Sequence, residues 1–258
     1  MREKIVQQLY NSLLIKWIPS QNFSDITESV LSGKRGSITF YNKGSVYYGM
    51  PFIQSRVVSY EAFCKQVHEG VLLVPNDKTG WFGGDCTSVI TDAVRKYTTL
   101  PFKKFYSTKD FLEDRELIEE LKGKDIYEGY ALLLPADILS SYKILSMPGG
   151  KTWLCDHTRM VTGYPVVKRD MDGHIIPKES YVIITENTVF KTDTSDENNI
   201  GGKITDTDSI VPYIKDEWTD IHAFCELKGK NITAKFNRKI SFYELERTGF
   251  VPLRFRGL

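Results

Sequence analysis

Gly83-Gly84-Asp85-Cys86-Thr87-Ser88, running on into Val89-Ile90-Thr91-Asp92-Ala93-Val94-Arg95-Lys96-Tyr97, is the stretch on which the fold turns. Asp85 is a good N-cap, and Val89, Ile90, Ala93, Val94 and Tyr97 recur at helical spacing, so the segment predicts a helix over 86–97 with one apolar face. Cys86 stands three and four residues before Val89 and Ile90 and so shares that face. A helix start carries about half a positive charge, which favours a thiolate. The glycines before it let a substrate backbone approach the sulfur. Cys86 is therefore either a nucleophile or a structural thiol packed on a sheet. Cys64, in a predicted helix, and Cys225, in a predicted strand, read as inert packing.

A cysteine nucleophile needs a base and a third polar group that holds the base in the right tautomer. His68 lies on a charged predicted helix and His174 beside a turn, both surface positions, while His222 sits in a late predicted strand. His157 opens the strand-like run His157-Thr158-Arg159-Met160-Val161-Thr162-Gly163. Downstream, Asp170-Met171-Asp172-Gly173 is the clearest turn signal. An antiparallel hairpin centred there sets His157 opposite Glu186 or its neighbour Asn187. Pro177 in the returning arm lets that register slip by a residue or two. Cys155 stands two residues before His157, but no second ligand pair accompanies it, so no metal or cofactor is expected.

Working outward, residues 1–35 are helical in part, with Ile5, Leu9, Leu13 and Leu14 at helical spacing. Residues 37–52 alternate and predict short strands around a glycine turn. Ser59 begins a helix carrying Cys64 and His68 and stopping at Gly70. Ser107 with Asp110 caps a helix drawn through Leu121. Residues 131–134, 156–163, 181–187, 218–226 and 230–236 read as strands. Ser241 and Glu244 form a capping box for a last helix that Gly249 stops. Helices early and strands late predict an α+β fold with an antiparallel sheet.

The chain's 258 residues, 41% hydrophobic and 26% charged, exclude disorder as the main state. Thirty-four Lys and Arg against thirty-three Asp and Glu leave no basic excess, so no nucleic-acid partner is expected. Pairs such as Lys103-Lys104 and Arg238-Lys239 read as solvated surface. Runs such as Ala131-Leu132-Leu133-Leu134 fall far short of the ~18 apolar residues of a membrane span. The first residues lack the apolar core and cleavage site of a secretory signal, which implies either a cytoplasmic protein or one whose leader has been removed.

The order and spacing of these elements resemble the papain-like cell-wall cysteine hydrolases, the NlpC/p-sixty peptidases and their CHAP relatives. Gly49-Met50-Pro51-Phe52 is similar to the family's Gly-x-Pro-Tyr, and Asp85-Cys86-Thr87-Ser88 to its Asp-Cys-Ser-Gly. Pro135-Ala136-Asp137-Ile138-Leu139 resembles its Gly-Asp before a strand, with alanine for glycine. His157–Gly163 is similar to its histidine strand and Glu186-Asn187 to the Glu-Asn ending of the CHAP group. Phe52, Ser88 and Arg159 depart from the pattern, as do the long stretch before Cys86 and the long hairpin after His157. The resemblance covers roughly residues 45–190. It implies a papain-like α+β core with the nucleophile at a helix start packed on an antiparallel sheet. The core spans 45–215, between an extension at 1–44 and a strand–helix extension at 216–258. It also implies bacterial peptidoglycan stem peptides as substrate, a secreted or wall-associated setting, Cys86 and His157 as catalytic residues, and Glu186 or Asn187 as the orienter. Tyr48, Asp85 and Trp81 are expected at the substrate.

Overall fold

The computed structural model describes residues 1–26, 38–51, 59–74, 83–103, 106–146, 152–187, 231–232 and 234–258, and the elements named below are those of these residues. In chain order they are α1 (Arg2–Leu14), β1 (Lys16–Pro19), β2 (Phe23–Ile26), β3 (Ile38–Tyr41), β4 (Tyr47–Tyr48), α2 (Tyr60–Cys64), β5 (Val67–His68) and β6 (Val71–Leu72). There follow α3 (Cys86–Tyr97), α4 (Thr108–Glu113), β7 (Ile118–Glu120), α5 (Ile126–Ala131), β8 (Ile138–Ser146), β9 (Thr152–Val166) and β10 (Tyr181–Asn187). The chain closes with β11 (Asn231–Ile232), β12 (Ala234–Ser241), α6 (Phe242–Arg247) and β13 (Val251–Phe255). This is a mixed α+β architecture, as the order of helical and strand patterns predicts.

The site is built on a sheet ordered β12-β10-β9-β8-β13-β7, every neighbouring pair antiparallel. Alternation along its strands fills both faces. Ile138, Met160, Leu253 and Phe255 enter one core with Ile5, Leu9 and Leu13 of α1 and Val89, Ile90 and Val94 of α3. Leu139, Val161, Val182, Ile184 and Ile240 enter a second core with Tyr130 of α5 and Phe242 and Leu245 of α6. A second, mixed sheet, β11-β4-β1-β6-β5, lies around a third cluster where Trp17 stacks on Tyr47 at 5.0 Å and donates from its indole to the Gly49 carbonyl.

Two buried polar devices tie the ends of the chain to the main sheet. Asp137, fully buried, accepts from Arg2 at 2.8 Å and from the Arg254 Nη2 at 2.6 Å, joining the first helix and the last strand at the start of β8. Asn237 sits in β12 at φ 46° and accepts from the hydroxyls of Tyr10 and Thr162 at 2.5 and 2.9 Å.

Several expected boundaries move. The first helix ends at Leu14, where Ile15 turns extended to feed β1. The helix from Ser59 stops at Cys64. His68 lies in β5, because Glu69 and Gly70 at φ 49° and 81° reverse the chain into β6. The helix expected to reach Leu121 ends at Glu113, and Ile118–Glu120 pairs with β13 instead. Residues 131–134 are the end of α5 and its turn, not a strand; the Asp125 side chain accepts from the Glu128 N–H and starts that helix. The strand expected over 218–226 lies outside the described residues. Between 181 and 187, and at the last helix capped by Ser241, the structure follows the sequence pattern.

Candidate functional site

Asp85 starts α3 with a reciprocal box. Its Oδ1 accepts from the N–H of Thr87 and Ser88 at 3.1 and 2.7 Å, and Ser88 Oγ accepts from the Asp85 N–H at 2.7 Å. The Thr87 hydroxyl donates to the Tyr106 carbonyl at 2.6 Å, fixing the helix start to the segment before α4. Gly84 is required on steric grounds: a Cβ there would stand 2.8 Å from Ser88 Oγ and 3.1 Å from Val89. The first turn of α3 is thus held rigidly, and Cys86 opens it.

The thiol is 8% exposed and lies against the backbone N–H of Thr158, the residue after His157, and its own N–H. Pairing of β10 with β9 ends at Thr185 and Met160, so Thr158 lies beyond the ladder. Burial pushes the thiol well above its ordinary value, and the carboxylates of Asp85 and Asp156 push the same way; the two N–H groups oppose this less strongly. The helix-dipole expectation of a lowered value is therefore corrected. In this closed arrangement desolvation outweighs the helix start.

His157 is joined to Glu186: Nε2 stands 2.8 Å from Oε2. Arg159 donates from Nε to the same oxygen at 2.7 Å, and Arg238 donates to Oε1 at 3.4 Å. Glu186 is 2% exposed, and two guanidinium groups favour its ionised form. An ionised carboxylate only accepts, which assigns the proton to Nε2 and leaves Nδ1 as the basic nitrogen. The bulged β9–β10 ladder ends with Thr185 opposite Met160, so Glu186 reaches His157 from beyond the last paired residues. Asn187 does something else, donating from Nδ2 to the Gly84 carbonyl at 3.0 Å. The two candidates left open by the hairpin argument separate: Glu186 takes the imidazole and Asn187 takes the turn before Cys86.

The structure does not bring all the predicted groups into contact. Thr158 and Met160 point to the α1–α3 side of β9, whereas His157 and Arg159 point to the other, where both rings and charges lean on Phe250. Among the described residues no hydrogen bond joins Cys86 to His157. The imidazole and thiol flank one peptide unit of β9 from its two sides. Of the expected substrate residues, Asp85 is the helix cap and Tyr48 is half-buried against the first core; Trp81 lies outside the described residues.

Arg238, read from sequence as solvated surface, instead bridges Glu186 and Glu244. Arg159 went unassigned for want of any local pattern; its one signal is its place two residues after His157 on the same strand face. Elsewhere, Asp170, Asp172 and His174 bring ligand atoms within 4.8 Å of one another, though Asp170 already accepts the N–H groups of Asp172 and His174 as a turn. A cavity of about 440 Å³ lies at the far end of α3 from Cys86, lined by Lys96, Thr98 and Arg256. No family model, no curated protein and no solved structure matches the chain.

Proposed function

We propose that the protein is a cysteine hydrolase of peptide or amide bonds, with Cys86 as nucleophile, His157 as base and Glu186 as the group that orients the imidazole. The observation that carries this reading is the Glu186-held imidazole one peptide away from a cysteine at a capped helix start. The reaction requires the imidazole to move past the strand edge so that Nδ1 reaches the thiol; catalytic hydrogen bonds are often long in the absence of substrate. His157 Nδ1 then takes the thiol proton as Sγ attacks the carbonyl carbon. The tetrahedral oxyanion forms beside the Cys86 N–H, which the Asp85 cap leaves untaken. Collapse breaks the C–N bond, the imidazolium returns the proton to the leaving amine, and a thioester remains. Water, deprotonated by His157, hydrolyses it and restores the thiol.

The substrate class comes from the resemblance to the NlpC and CHAP hydrolases: stem peptides of bacterial peptidoglycan, met in a secreted or wall-facing setting. Digestion of purified peptidoglycan and of free stem peptides, with fragment masses, tests it. Wild type releases peptide fragments and Cys86→Ala none; equal release by both, or none from either substrate, overturns the reading. A non-catalytic binding module on the same fold is the second reading. The buried, protonated thiol without an imidazole partner favours it, and it predicts retention on peptidoglycan without fragments.

A further inference from the structure

We propose that Arg159 is a positioning residue that neutralises Glu186, so that His157 is oriented by a carboxylate without being locked in its protonated form. The inference rests on the reading of His157 as base. Arg159 Nε and His157 Nε2 share one oxygen, Glu186 Oε2, at 2.7 and 2.8 Å. The Arg159 guanidinium also lies 4.1 Å above the Phe250 ring, whose centre is 6.5 Å from the imidazole's, so one aromatic floor fixes both partners of the carboxylate. Arg159 Nη1 is buried and has no hydrogen-bond partner among the described residues.

A buried carboxylate facing a histidine alone favours the imidazolium, which cannot accept the thiol proton. A guanidinium on the same oxygen takes up that charge while leaving the hydrogen bond that sets the tautomer. Among the described residues the other groups around the imidazole do not duplicate this. Arg238 on β12 reaches the far oxygen at 3.4 Å and divides its charge with Glu244 of α6. Asp156 on β9 is exposed, Lys143 of β8 stands level with Cys155, and Asp85 and the Cys86 thiol approach from the α3 side.

An NMR titration of the His157 imidazole in the full chain tests this without requiring turnover. In Arg159→Met the pH midpoint of proton uptake rises by about one unit, since removing a cation and freeing a carboxylate act in the same direction. Arg159→Lys restores it in part, and Glu186→Gln added to Arg159→Met brings it back down. A midpoint unchanged in a folded Arg159→Met overturns the proposal. Should that variant not fold, Arg159→Gln reads the same midpoint with the same two outcomes. The acid limb of any hydrolytic rate moves with the midpoint. A shifted midpoint in a protein that cleaves nothing overturns the hydrolase reading alone, and an unshifted midpoint in an active enzyme overturns this one alone.

Discussion

Glu186 and Asn187 are adjacent in the chain and both buried, yet alternation along β10 sends one to His157 and the other to Gly84. Their substitutions should therefore fail differently. Glu186→Gln keeps the size but loses the charge that fixes the imidazole tautomer, and kcat is expected to fall on the order of 10²-fold with KM little changed. Ala136 provides a test of conformation alone. It stands at φ 70°, where a Cβ costs about 1–2 kcal/mol, in the position where the resembled family carries glycine. Ala136→Gly is expected to raise Tm by about 2 °C once the extra freedom of glycine in the unfolded chain is set against the relief. Cys86 gives a pH dependence. Its folded value is raised, so the folded state holds the proton more tightly and stability is complete below the unfolded thiol's range. Stability is then lost as pH rises past about 9. Urea unfolding between neutral and alkaline pH should show that loss in wild type and less of it in Cys86→Ala.

At the scale of elements, what was legible in the sequence is what local chemistry decides. Helix α3, its Asp85 cap, strand β10 and the Ser241 start of α6 follow from capping residues and periodicity. What was not legible depends on partners distant in sequence. Residues 118–120 pair with β13 although the preceding pattern is helical, and Asn237 takes a left-handed conformation that nothing nearby announces. The register of β9 against β10 illustrates the limit. A turn signal located the hairpin, but bulges at Tyr181–Ile183 and Ile183–Ile184 displaced the pairing, which ends with Thr185 opposite Met160. Asp137 is the clearest element-scale prediction. Its carboxylate is the common partner of Arg2 and Arg254, and both guanidinium groups are largely buried. Asp137→Asn should cost about 3 kcal/mol in urea unfolding, because breaking a buried pair leaves its cations uncompensated.

For the whole molecule, the main sheet divides the chemistry: α1, α3 and Cys86 on one side, α5, α6, Phe250 and the His157–Glu186–Arg159 group on the other. The near-neutral charge of the chain leaves no long-range field to gather a charged substrate. Under the proposed function, recognition falls instead to short-range contacts around the helix start and the strand edge. Among the described residues no helix is long and apolar enough to cross a membrane. Under the proposed function, groups on the two sides of β9 act as one site across the peptide at Thr158. Alkylation of Cys86 by iodoacetamide, followed residue by residue by mass spectrometry near neutral pH, measures this directly. The rate is expected to be about 10²-fold lower in His157→Ala than in wild type, the low end of what a positioned base contributes. Equal rates for Cys86 in the two proteins would contradict it.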